Sequence, residues 1–291
     1  MNQEFKTLND LGKKYSITFD DEDLEFSDQI LKIYNCSNPE LLKDIDLNNI
    51  IILNWLGLYY DINGNEDLMK KYYQMGVEKD GIGCMICLAQ YYQQNKNYEK
   101  TVEYYMMGVE RGNSRAMMYL GDHYKKYEKN YEMMKKYYLM AIDKNDSDGI
   151  ISIVKMALFY QFEGKNNELM KKYYKMAIES GSTDAMFNLG YWYNTTRWVK
   201  YMINGNITTV LGGNRGHESD VEQMKKYFKM GIENDSIECF NEIQYYYNKN
   251  NDYIEYYNFL KNIKSKKNKL NKIIQDELNN LKLQHTQLIY V

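Results

Sequence analysis

The chain has 291 residues and a net charge of −3, with 37 Lys and Arg against 40 Asp and Glu. That balance excludes a nucleic-acid face strong enough to dominate the molecule. No apolar run reaches the ~18 residues a membrane span needs, and four cysteines in this length do not make a disulfide framework, so a reducing compartment is expected. There is one proline, Pro39, and there are 31 tyrosines. Helix is therefore permitted almost everywhere after the first forty residues, and tyrosine suits half-buried positions between packed helices. The abundance of Asn, Lys, Ile and Tyr reads as the codon bias of an AT-rich genome as much as physics.

Residues 1–46 carry no repeat, no signal peptide is expected there, and they are read as an N-terminal helical cap. Phe5, Leu8, Leu11 and Tyr15 have helical spacing. Asp20 to Asp23 read as an acidic turn. Ser27 is placed as the N-cap of a helix holding Ile30, Leu31 and Tyr34, and Ser37-Asn38-Pro39-Glu40 as a further helix start.

From residue 47 to 260 the chain repeats itself. Met134-Lys135-Lys136-Tyr137-Tyr138 recurs as Met69-Lys70-Lys71-Tyr72-Tyr73, as Met170-Lys171-Lys172-Tyr173-Tyr174 and as Met224-Lys225-Lys226-Tyr227-Phe228. Aligned on Tyr72, Tyr104, Tyr137, Tyr173, Tyr227 and Tyr256, the copies lie 32, 33, 36, 54 and 29 residues apart. Repeats at such spacing make a solenoid. Each copy has a first helix, clearest as Ala116, Leu120, Gly121, Tyr124 and as Ala185, Leu189, Gly190, Tyr193, four residues on one helical face. Weaker copies run through Leu56, Gly57 and Tyr60, through Cys84, Leu88, Ala89 and Tyr92, through Ser152, Met156, Ala157 and Tyr160, and through Cys239, Ile243, Gln244 and Tyr247. Glycine inside a helix costs up to about 1 kcal/mol, so its recurrence predicts close packing of the second helix. Gly112 and Gly181, with Asp80, Asn145 and Asp235 in the same place, are expected to end the second helices in the left-handed conformation.

The spacing of 54 marks an insertion, residues 194–218, expected as a surface loop or small hairpin that a short link can replace. Residues 261–291 are expected to form a C-terminal capping helix, with Leu270, Ile273, Ile274, Leu278 and Leu281 on one stripe.

The register of small residue, Leu-Gly, aromatic, aromatic pair and Ala resembles the Sel1-like repeat family, a relative of the tetratricopeptide repeat. The Tyr- and Met-rich wording resembles the Sel1-like proteins that large DNA viruses of amoebae carry. Ser152 with Met156, and Gln244, depart from the family pattern. The resemblance implies an all-α fold, an α-solenoid of about six helix pairs with helical caps. It also implies a non-enzymatic scaffold or adaptor that takes a peptide or helix of a partner protein on its concave face, in the cytoplasm (the host cytoplasm if viral). The partner is expected to be a protein, without nucleic acid, membrane, metal or cofactor. The alternatives are an enzyme with its site in or beside residues 194–218, and an adaptor docking through the N-terminal segment.

Candidate chemistry is sparse. Cys84-Met85-Ile86-Cys87 lacks a second pair, and the histidines are only His123, His217 and His285, so core cysteine is favoured over zinc. His123 is placed on a helix flank. Gly212-Gly213-Asn214-Arg215-Gly216 lacks the Lys-Ser/Thr of a phosphate loop. Glu238 with Glu242, and Asp143 with Asp146, are ordinary solvated helix residues. An enzyme would draw on Arg197, Lys200, Arg215, His217 and Glu218.

For binding, the residues two before and two after the Leu of each first helix are assigned to the concave face. They are Asn54 and Leu58, Ile86 and Gln90, Met118 and Asp122, Val154 and Leu158, Phe187 and Tyr191, and Asn241 and Tyr245. Leu158, Phe187, Tyr191 and Tyr245 are expected to form an aromatic groove for an amphipathic helix or extended peptide.

Overall fold

Helix starts and stops are written in two small sets of residues. Asn49, Asn65, Asn97, Asn113, Asn130 and Asn166 each turn a side-chain oxygen onto a backbone N–H of the turn that follows. Asp146, Ser182, Asp220, Ser236 and Asp252 do the same. Each such cap is worth about 1 kcal/mol. At the other ends stand residues with positive φ. Asp80, Gly112, Asn145, Gly181 and Asp235 close the second helices, as the sequence predicts, and Gly64, Lys96, Lys129, Lys165 and Asn251 follow the first.

The computed structural model describes residues 7–15, 21–36, 45–194, 198–211 and 220–284. Its contacts divide the chain into two units, residues 1–137 and 138–291. The first unit opens with α1 (Leu8–Tyr15), α2 (Asp21–Glu25) and α3 (Ser27–Asn35). The acidic stretch expected as a turn is thus largely helical. Phe26, not Ser27, holds the N-cap position of α3 and makes no side-chain cap bond. Its ring packs on the core instead, so burial sets that boundary rather than a hydroxyl. The helix start expected at Ser37 to Glu40 lies outside the described residues.

Helix pairs follow. They are α4 (Ile50–Ile62) with α5 (Glu66–Glu78), then α6 (Ile82–Gln94) with α7 (Tyr98–Glu110). Next come α8 (Ser114–His123), continued by a π-helical turn at Tyr124–Glu128, and α9 (Tyr131–Ile142), within which the two units divide. The second unit has α10 (Ser147–Phe162) with α11 (Asn167–Glu179), α12 (Thr183–Tyr193) with α13 (Val221–Glu233), and α14 (Ile237–Asn250) with α15 (Tyr253–Lys261). Two strands, β1 (Trp198–Ile203) and β2 (Asn206–Leu211), stand between α12 and α13. Finally α16 (Asn268–Gln284) lays Leu270, Ile274 and Leu281 into the core of the second unit.

One ring pair closes every helix pair. Tyr60 stacks on Tyr72 at 5.5 Å, Tyr92 on Tyr104 at 5.6 Å, Tyr124 on Tyr137 at 5.6 Å, Tyr160 on Tyr173 at 5.7 Å, Tyr193 on Tyr227 at 5.8 Å and Tyr247 on Tyr256 at 5.1 Å. Parallel offset stacking adds about 0.5–1.5 kcal/mol to what the buried area contributes. Beside each pair, the N–H of the second helix's N-cap residue donates to the carbonyl of the first tyrosine, from Asn65, Asn97, Asn130, Asn166, Asp220 and Asp252, at 2.9–3.2 Å.

Glycines work in two directions. Within a pair, the ring of Tyr73 covers Gly57 and that of Phe228 covers Gly190, where an added Cβ would lie 2.9 Å from the ring. Between pairs, Gly76, Gly108 and Gly231 of the second helices face Cys84, Ala116 and Cys239 of the next first helix. The two sets interlock, and a Cβ at any of these five glycines would meet a neighbouring side chain at under 3.0 Å. Ser152 fills its small slot by returning its hydroxyl to Asp148 O at 2.8 Å.

Candidate functional site: the first-helix face and its hairpin

The structure divides the assigned face. In the first unit Leu58, Gln90 and Asp122 are half-buried, beside half-buried Asn54 and buried Ile86 and Met118. In the second unit Leu158 is 4% exposed, Phe187 0% and Tyr191 5%, while Tyr245 is 63% exposed. Val154 is buried and Asn241 exposed. The aromatic groove is therefore not an open strip, for two reasons. Phe187, two before the Leu of α12, turns into the helix pair against Phe228 at 6.0 Å between ring centres. The residue two after it, Tyr191, lies under the inserted hairpin.

The hairpin is built to a plain rule. Asn204 and Gly205 have φ of 51° and 71°, the left-handed pair that a two-residue hairpin turn demands. Ile203 pairs with Asn206 next to the turn, and Met202 pairs with Ile207. In that alternation the N–H and C=O of Met202 point away from β2. Asn188 of α12, 1% exposed, takes both. Its Nδ2 donates to Met202 O at 2.7 Å and its Oδ1 accepts the Met202 N–H. One side-chain amide thus occupies the place of a neighbouring strand.

Side chains of β1 alternate to either side of that contact. Met202 is 1% exposed and shares a core with Phe187, Tyr191 and Phe228. Lys200 Nζ donates to Glu242 Oε1 of α14 at 2.5 Å and stands 5.6 Å from the ring centre of Tyr191. Tyr201 meets Phe162 of α10 at 5.4 Å, and Ile203 packs on the same cluster. At the turn, Gly205 N–H donates to the Asp184 carboxylate at 3.3 Å. Burial alone would lower the Lys200 pKa, but the hydrogen bond and charge of Glu242 outweigh it and the net shift is upward. Burial raises the Asp184 pKa, with the N–H groups of Gly205 and Asn204 opposing.

The stripe that holds the strand is thus Asp184, Asn188 and Tyr191, at spacings of four and three, with Glu242 standing on α14 where Asn188 stands on α12. Sequence reasoning assigned Tyr191, read Glu242 as a solvated carboxylate and missed Asp184 and Asn188. The signal was present in Asn204-Gly205, flanked by Trp198 to Ile203 and Asn206 to Leu211, the strongest short-range mark of a hairpin. The insertion, expected as a surface loop or small hairpin that a short link can replace, is a hairpin, and it has a buried methionine and a place in the core.

In the first unit the N-terminal helices cover the corresponding place on α4. Trp55 Nε1 donates to Asp23 at 2.6 Å, and Tyr59 Oη donates to Cys36 O at 2.9 Å. A cleft of about 670 Å3 lies alongside, lined among others by Asp23, Asn48, Ile50, Asn54 and Ile82.

The remaining candidates resolve into structure. Cys84 is fully buried opposite Gly76, and burial pushes its thiol up to about 12 and that of Cys87 up to about 11, far from a reactive thiolate. His123 sits on no flank. It is 0% exposed, among the rings of Tyr98, Tyr124 and Tyr127, with Nδ1 3.2 Å from Gln93 Oε1 and Nε2 3.4 Å from Glu128. Burial lowers its pKa and Glu128 opposes. Asp146 caps α10 and Glu238 accepts from Ser236 Oγ at 2.9 Å. Arg197, Arg215, His217, Glu218, His285 and the Gly212 to Gly216 run lie outside the described residues. Among the described residues no three His, Cys, Asp or Glu side chains group as a metal site, and no helix is long and apolar enough to cross a membrane.

The fold is that of a Sel1-like α-solenoid. It is similar to the crystal structure of a Sel1 repeat protein from Oxalobacter formigenes, at a TM-score of 0.52 and 18% identity over 78% of this chain and 89% of that one. Weaker likenesses are to c5321, a protective antigen of uropathogenic Escherichia coli strains displaying an SLR fold (TM-score 0.44, 16% identity, 81% and 53% of the two chains), and to the immunity protein Pa5087 from Pseudomonas aeruginosa (TM-score 0.44, 14% identity, 76% and 84%). No family model and no curated protein matches the sequence.

Proposed function

We propose that the chain is a non-enzymatic protein–protein interaction scaffold, which holds a segment of a partner protein against its first helices. The observation that carries this reading is the hold on β1. An extended segment lies on the first-helix face, gripped at its backbone by Asn188 and at a side chain by Glu242. Such a hold needs neither metal nor cofactor, and it divides the work as strand addition to a sheet edge does, with main-chain bonds for affinity and alternate side chains for specificity. Leu58, Gln90, Asp122 and Tyr245 are the accessible members of the face. Tyr191 joins it when β1 is away, with Phe187 and Leu158 buried beneath as its support. The partner is a protein rather than nucleic acid or membrane, and the setting is the cytoplasm, the host's if the resemblance to viral Sel1-like proteins holds.

Photo-crosslinking side chains placed at Gln90 and at Tyr245 test this in the native cell, with Leu139 on the second-helix side as the comparison. Discrete adducts from the first two and none from Leu139 are expected. Adducts from Leu139 alone would overturn the assignment.

A further inference from the structure

We infer that β1 is a resident stand-in for a partner's segment, and that the groove across α10, α12 and α14 takes an extended strand reading Lys-aromatic-Met. This deepens the scaffold reading and rests on it.

The geometry points to the occupant. Asn188 contacts only the main chain of Met202, a contact any non-proline residue can supply, so it fixes an extended backbone without choosing a sequence. Choice comes from three flanking contacts. Glu242 demands a cation two residues before the clamped position, and its side chain is 10% exposed, so a partner lacking that cation leaves a buried charge unpaired. The core of Phe187, Tyr191 and Phe228 takes an unbranched apolar side chain at the clamped position. Phe162 takes a ring between the two.

The hold also suits exchange. A two-stranded hairpin is marginal by itself, and this one is docked through one amide, one ion pair, one buried methionine, the bond of Gly205 N–H to Asp184 and the edge contacts of Tyr201 and Ile203. Because β1 is tethered, an incoming strand competes with an effective concentration on the order of millimolar. The groove therefore stays shut to weak or mismatched segments and opens to one that matches in trans.

The test uses the full chain and a fluorescein-labelled peptide of residues 196–206, followed by fluorescence anisotropy. The chain carrying Lys200→Glu with Met202→Ala repels its own strand from Glu242, and it is expected to bind the peptide about tenfold or more tighter than the unaltered chain does. A peptide with Lys200→Glu should bind that opened chain about tenfold more weakly, and a chain carrying Glu242→Lys with Met202→Ala and its own Lys200 retained, which again repels the resident strand, should reverse the preference. Peptide binding indifferent to both charge changes overturns the inference, as does no binding by an opened chain that melts cooperatively. Should the opened chain fail to fold, hydrogen exchange of the unaltered chain decides. Hairpin amides about a hundredfold faster than those of α12 support a displaceable strand, and hairpin amides that exchange only with global unfolding overturn it. A wild-type dimer dissociated by the peptide would assign the groove to a second copy and overturn the choice of partner. Failure of the peptide with the Gln90 and Tyr245 adducts intact rejects this inference alone. Adducts from Leu139 alone reject the scaffold face itself.

Discussion

Asn188→Leu keeps the side chain's size and removes both of its bonds to Met202. The N–H and C=O of Met202 face α12 rather than β2, so nothing else in the hairpin replaces them. A buried polar group left without its partner costs about 1–3 kcal/mol, so the docked strand loses about 2–6 kcal/mol. Against this stand one buried methionine, worth about 1.5–3 kcal/mol, and a charge-assisted bond to Glu242, about 1.5–3 kcal/mol. The two sides are comparable, so the variant's strand should lift from the helices while the helix pairs stay folded. Hydrogen exchange with mass spectrometry should show residues 198–211 exchanging about a hundredfold faster, with helical peptides unchanged. Urea denaturation should lose no more than docking contributed, about 3–6 kcal/mol. Wild-type protection of the Met202 amide in this variant would refute the reasoning, because the amide would then not be what holds the strand.

Three further outcomes are expected. Gly190→Leu forces a side chain into the ring of Phe228 and should cost about 1–3 kcal/mol by thermal melting, with Gly190→Ala already destabilising because the Cβ alone lies 2.9 Å from the ring. Replacing residues 198–211 by a short Gly/Ser link should raise dye binding and lower stability by about 3–6 kcal/mol, since the docking of Met202 and Lys200 is lost and Tyr191 is uncovered; loop shortening itself is worth only about 0.6 kcal/mol per halving. The Lys200 pKa is raised in the folded chain above its ordinary 10.5, so its contribution is complete below that pH and is lost as pH rises through the folded value; Glu242→Gln should remove this alkaline loss, as urea titrations between pH 9 and 12 would show.

Where the sequence was legible, repetition made it so. The aligned tyrosines are the stacked rings, because six copies of one packing solution keep the same residue at the same place. The left-handed positions at Asp80, Gly112, Asn145, Gly181 and Asp235 were legible for the same reason. Asparagine was misread. Its abundance looked like codon bias, yet six asparagines cap helices, and a cap is visible only once the helix start is known. Lys96, Lys129 and Lys165 in the left-handed region carry no local signal at all. The site was the least legible part. Asn188, Asp184 and Glu242 look like solvated helix residues until a non-repeating segment is laid across them, and that placement depends on long-range packing that no periodicity encodes. His123 shows the opposite case, a polar residue drawn inside by three neighbouring rings.

The bond from the second helix's first cap residue to the tyrosine carbonyl is made in all six pairs, at 2.9 Å from Asn65 to Tyr60 and still at 3.2 Å from Asp220 to Tyr193 with a whole hairpin spliced between them. The chain leaves and re-enters at a seam that is already sealed, so the length of what lies outside it does not reach the helices. Five other seams have the same form. Each is a port at which a foreign segment could be grafted without retuning the scaffold, and a lineage of such chains could diversify what it carries by moving insertions from seam to seam while its tyrosines and glycines stay fixed.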